Sequence, residues 1–231
     1  MWFYGRNLKL LGRMYFSSRM QAGRMLAGMM VPKYRYENCA VVALDDGGVM
    51  VGAQIAIQLH CFLTMMIMRS INLPREPKAI AGVGSNGDFT YNKDYSQGEL
   101  DEFVGEYREF IEEKKYQTFQ EINRLLGSGE LNPERMLKHR QVILASDGLT
   151  DTMKLDMAME MLKPIEIQQI IVATPFASVP VIDKIHIIAD AIYCLDVIEE
   201  PLETDHYYDQ NDVPDHQKIV DTIENIVYRW I

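Results

Sequence analysis

The chain has 231 residues, of which 48% are hydrophobic and 24% charged, with a formal net charge of −10 at pH 7. That length suits one α/β domain with a sizeable core, and the mixture is that of a globular protein, not of a collagen-like, disordered or disulfide-rich one. Arg6, Lys9, Arg13, Arg19, Arg24, Lys33 and Arg35 make residues 1–36 purely basic, so the rest of the chain carries −17. A duplex-binding surface needs a clustered basic face, so the acidic body argues against nucleic acid as a partner.

Cys39, Cys61 and Cys194 are odd in number and sit far apart in apolar runs, which suggests neither a disulfide framework nor a zinc site and fits a reducing cytoplasm. The strongest apolar run, Cys61 to Met68, is too short to cross a bilayer, and no signal-peptide pattern precedes it. Fifteen Met residues read as an adaptable core.

In chain order, the first 30 residues read as a basic helical segment, with Leu8, Leu11, Met14 and Tyr15 on one face and Met25, Leu26, Met29 and Met30 on the next stretch. Such a segment packs on the acidic body or docks on a membrane surface or partner, with Trp2 and Phe3 available to cap a core. From Cys39 onward, short apolar runs alternate with helical stretches, the signature of βαβ units. The expected strands are Ala40 to Leu44, Phe62 to Met68, Val142 to Ala145, Gln169 to Ala173 and Ala191 to Leu195. Their near-continuous apolarity suits a mostly parallel central sheet flanked by helices, here Met50 to Leu59, Lys154 to Leu162 and Val179 to Ala189. Ile80 to Gly84 and Phe89 to Tyr91, joined through Asn86-Gly87, read as an added hairpin. A long helix follows, opened by a capping box at Ser96 and Glu99 and striped by Leu100, Phe103, Tyr107, Phe110 and Ile111; Gly127 to Pro133 ends it. The whole of 1–231 reads as one domain, with 200–231 as a C-terminal tail and helix.

Three strand-end segments can carry chemistry. Asp45-Asp46-Gly47-Gly48 places paired glycines where backbone amides can approach an anion, although a plain βα turn capped by an acid has the same composition. Ser146-Asp147-Gly148-Leu149-Thr150-Asp151-Thr152 gathers small and hydroxyl residues between a strand and a helix. Its amides and hydroxyls suit a phosphate, and Asp147 suits ribose hydroxyls or Mg2+. Arg69 offers a cation after the strand ending at Met68. His60 and His186 look structural, while His206 and Tyr207 can line a base pocket or simply form a solvated aromatic turn.

Together these segments resemble the type I phosphoribosyltransferases over roughly residues 16–215. The resemblance is carried by Phe16 to Arg24, the Val41 to Val49 run with its Gly-Gly, Met68-Arg69, Ala79 to Gly84 with the hairpin, the long helix, Val142 to Leu155, and Ile171 to Pro175. It implies transfer of ribose 5-phosphate between phosphoribosyl pyrophosphate and a nitrogenous base through an oxocarbenium-like state, with Mg2+ on the pyrophosphate. It further implies Asp147 as the catalytic position, and Asp46, Gly47, Gly48, Arg69, Gly148, Leu149, Thr150, Asp151 and Thr152 as binding positions. The ligand would be phosphoribosyl pyrophosphate or a nucleotide, and a homo-oligomer is compatible.

The match is partial. Ser146 stands where the family places its first acid, and Asp147 keeps the second. Asp151, Thr152 and Lys154 depart from the hydroxyl–glycine–hydroxyl cradle, Asp45-Asp46 stands where relatives carry a cation, and Ser70 replaces a second cation after Arg69. Two functional readings follow: an active transferase with an unusual loop, or a catalytically silent protein of the same fold with a nucleotide-sensing, regulatory or protein-interaction role.

Overall fold

The computed structural model describes residues 2–4, 15–76, 78–85, 87–126, 136–211 and 213–227. The chain divides into two compact units: residues 1–65, 132–151 and 165–231 form the first, and residues 66–131 and 152–164 the second.

The first unit is built on a six-stranded sheet in the order β1-β9-β8-β7-β2-β3, and every pairing in it is parallel. Its strands are β1 (Trp2–Tyr4), β2 (Cys39–Ala43), β3 (Phe62–Met65), β7 (Gln141–Ala145), β8 (Gln169–Ser178) and β9 (Ala191–Ile198). Covering helices are α1 (Arg19–Tyr34), α2 (Asp46–Leu59), α6 (Val179–Ile188) and α7 (His216–Val227). All five residues of β2 are buried, as are four of five in β7 and nine of ten in β8, which is why they read as continuous apolar runs. The thiols of Cys39, Cys61 and Cys194 lie in this unit as free, buried groups. Burial pushes the Cys39 thiol up to about 11 and the other two up to about 12.

The second unit holds an antiparallel sheet, β4 (Met68–Asn72), β5 (Ala79–Gly84) and β6 (Phe89–Tyr91), in that order. With it go α3 (Gln97–Glu106), α4 (Arg108–Leu126) and α5 (Met153–Leu162). The Ser96–Glu99 capping box is formed in both directions.

Four expectations change. Trp2–Tyr4 is a strand on β9, not helix: three aromatic residues favour extended backbone, and the edge of β9 supplies their hydrogen-bond partners. The rest of the expected stripe at Leu8, Leu11 and Met14 lies outside the described residues, and α1 begins only at Arg19. Phe62 to Met68 is not one strand but the end of β3 and the start of β4, which belong to different sheets. The long helix breaks at Tyr107, whose φ of −110° and ψ of 22° leave the helical region; the expected end at Gly127 to Pro133 lies outside the described residues.

Candidate functional site

In the first unit, the turns that follow β2 and β7 carry most of the expected site residues. After β2, Asp45 is the N-cap of α2 and its side chain accepts from the Gly48 amide at 2.6 Å. Asp46, Gly47 and Gly48 therefore form the first helical turn and are not a loop. After β7, Ser146 is fully buried; its hydroxyl lies 3.0 Å from the Gly148 carbonyl and 3.2 Å from the Gly148 amide. The Leu149 amide donates to the Phe176 carbonyl at 3.0 Å, and the Ser178 amide donates to the Leu149 carbonyl at 2.9 Å. This bridge to Ala177 is possible because β8 runs five residues beyond Ala173, the partner of the last β7 residue, Ala145. A Cβ on Gly148 would overlap the Phe176 ring, so the chain passes close against it. Thr150 is half-buried beyond the bridge and Asp151 closes the turn.

The centre of the arrangement is a residue that the sequence does not single out as functional. Arg19 is 1% exposed at the first position of α1, and its Nε donates to Asp147 Oδ2 at 2.7 Å. One terminal nitrogen pairs with the Asp205 carboxylate, the other donates to Asn211 Oδ1 at 3.1 Å, and the guanidinium carbon lies 4.5 Å from the centre of the Tyr208 ring. Burial by itself would lower the Arg19 pKa, but the hydrogen bonds and charges of Asp147, then Asp205, outweigh it and hold the pKa above its ordinary value. Asp147 is 5% exposed, and a Cβ on Gly47 would overlap its carboxylate, so the glycine is what lets α2 approach the acid. The Tyr208 hydroxyl donates to the Asp147 main-chain carbonyl.

The tail folds back on this edge, as expected. The Phe16 amide donates to the Tyr207 carbonyl and the Asp209 amide to the Phe16 carbonyl, both at 2.9 Å. Tyr207 is fully buried against Phe176, with ring centres 4.3 Å apart, and so belongs to the core; His206 is exposed and meets the Tyr15 hydroxyl at 3.0 Å.

Two expected residues lie in the second unit. Arg69 sits inside β4, paired with Val83 and donating to the Met68 carbonyl at 3.1 Å, so it is a strand-interior residue and not a strand-end cation. Thr152 caps α5 without a side-chain cap bond; its hydroxyl donates to Asp94 at 2.9 Å and lies 3.5 Å from Asp156. This unit also has a cleft of about 610 Å³ lined by Phe89, Tyr91, Gln97, Leu100, Asp101 and Glu160. Among the described residues no group of three or more His, Cys, Asp or Glu side chains is placed to hold a metal ion, and no helix is long and apolar enough to cross a membrane.

A parallel core of β9-β8-β7-β2-β3, with functional turns at the strand ends and an inserted hairpin, is the fold of the type I phosphoribosyltransferases. The likeness that shows the fold is to the crystal structure of TT1426 from Thermus thermophilus: TM-score 0.65 and 20% identity, over 94% of this chain and 99% of that one. A hypoxanthine phosphoribosyltransferase from Staphylococcus aureus matches at TM-score 0.43 and 14% identity, over 78% of this chain and 72% of its own. A hypothetical protein from Neisseria gonorrhoeae with bound ppGpp matches at 0.43 and 8%, over 90% and 95%. No protein-family model matches the sequence.

Proposed function

We propose that this chain is a phosphoribosyltransferase-fold protein that has given up phosphoribosyl transfer and serves a binding or regulatory role. The observation that carries this reading is the buried ion pair between Arg19 and Asp147. In an active transferase Asp147 would face the ribose hydroxyls; here its carboxylate is directed to a guanidinium, and two amides of the turn are directed to Ser146 and Phe176. Opening that pair toward a ligand would leave a buried charge without its partner, which costs about 3–5 kcal/mol. The acids at Asp45, Asp46 and Asp151 support the same reading, because carboxylates repel a phosphate dianion unless a cation intervenes. The side chains do not form a protein cage for Mg2+ among the described residues, so the ion would have to arrive with the ligand's pyrophosphate.

The test is product formation and calorimetry with phosphoribosyl pyrophosphate, Mg2+ and a panel of purine, pyrimidine and pyridine bases. We expect no nucleotide product and no heat at millimolar ligand. The triple change Asp151→Thr, Thr152→Gly and Lys154→Thr, which restores the cradle, should create binding absent from the native chain. Turnover by the native chain would instead establish the active reading, with Asp147 on the ribose and the amides of residues 148–152 on the 5-phosphate.

A further inference from the structure

The Arg19 guanidinium is used unequally on its two sides. Its Nε is directed inward, to an acid that is itself buried. Its two terminal nitrogens meet Asp205, whose side chain is 55% exposed, and Asn211, which is exposed. These two side chains are also joined, the Asn211 amide donating to the other Asp205 oxygen at 2.8 Å. The Tyr208 ring covers the face of the guanidinium. A buried Arg with an aromatic ring on its face and its outer fork turned to the surface is the arrangement that binds a planar oxyanion through two parallel hydrogen bonds. In this chain the tail's own carboxylate takes that place.

We propose that the outer edge of Arg19 is a binding site for a carboxylate-bearing small molecule, and that Asp205 is an internal competitor for it. Asp205 can leave by rotating its side chain into solvent, whereas Tyr207 and Tyr208 are buried and hold the backbone of the tail in place. The charge count selects the ligand class. With Asp205 turned away, Arg19 and Asp147 sum to zero, so a monoanion restores the present balance and a phosphate dianion exceeds it by one negative charge. An internal competitor lowers apparent affinity by the fraction of time the site is closed, so weak binding by the native chain and tighter binding without Asp205 are two faces of one equilibrium. The site stands independently of whether phosphoribosyl transfer occurs.

The experiment titrates sodium formate into the full chain and follows the Arg19 Nε–Hε signal by NMR, with sodium chloride at matched ionic strength as the control. Formate should give a saturable shift that chloride does not. Asp205→Ala, and the same-sized Asp205→Asn, should each tighten formate by about tenfold or more, as expected when an intramolecular competitor is removed. Arg19→Lys, which keeps the charge but loses the fork, should abolish the saturable response. The proposal is overturned if both Asp205 variants bind formate no more tightly than the native chain, if chloride reproduces the shift, or if inorganic phosphate binds more tightly than formate.

Discussion

The turns after β2 and β7 begin alike and end differently. Each follows a buried parallel strand, each carries an acid and a glycine, and each opens toward a helix. In the first, Asp45 serves an amide three residues away and the whole arrangement is local. In the second, Asp147 serves a guanidinium 128 residues away, under a tyrosine 61 residues away. Acids in strand-end turns therefore do not announce their work by type or spacing: one caps a helix, and the other neutralises a buried charge.

Breaking the long-range turn should cost most. Arg19→Met removes the partner of a buried carboxylate and should destabilise the chain by about 3–5 kcal/mol in denaturant unfolding; a loss below about 1 kcal/mol would place Asp147 with the surface acids. Gly47→Ala links the two turns, since its added methyl meets the Asp147 carboxylate, and should cost about 1–3 kcal/mol in the same measurement. Asp45→Ala should cost about 1 kcal/mol, the ordinary value of an N-cap, and a cost equal to that of Arg19→Met would erase the distinction between the turns. Gly28→Ala is the reference change: nothing lies within 4 Å of its added methyl on an exposed face of α1, so thermal unfolding should show a gain of about 0.5–1 kcal/mol.

Strands β2, β7 and β9 and the start of β8 are legible in the sequence because parallel strands buried on both faces leave an unbroken apolar run. The far half of β8 is not, because Thr174-Pro175 looks like a strand's end. Pro175 is tolerated there because β7 has already stopped at Ala145, so no neighbour on that side needs its missing amide. The turn after β7 lies where its composition places it, but its composition does not reveal the partner that defines it. A signal for Arg19 is nevertheless present. A cation directly after the Ser18 N-cap opposes the helix dipole, and a residue that breaks a local rule there points to a tertiary partner. Asp205 and Asn211 carry no such signal, since nothing in a surface segment 186 and 192 residues away says which charge it will meet.

The bridge from Leu149 to the extended end of β8, together with the Arg19 network, also bears on the order in which the molecule comes together. The turn after β7 can close only when residues 176–178 have joined the sheet, and Arg19 gains its last partners only when residues 205–211 have arrived. Closing loops of that length is slow compared with local helix formation. During synthesis the chain therefore carries a charged α1 N-terminus and an open strand-end turn through most of its length, and both become permanent features of the interior only near the end of translation.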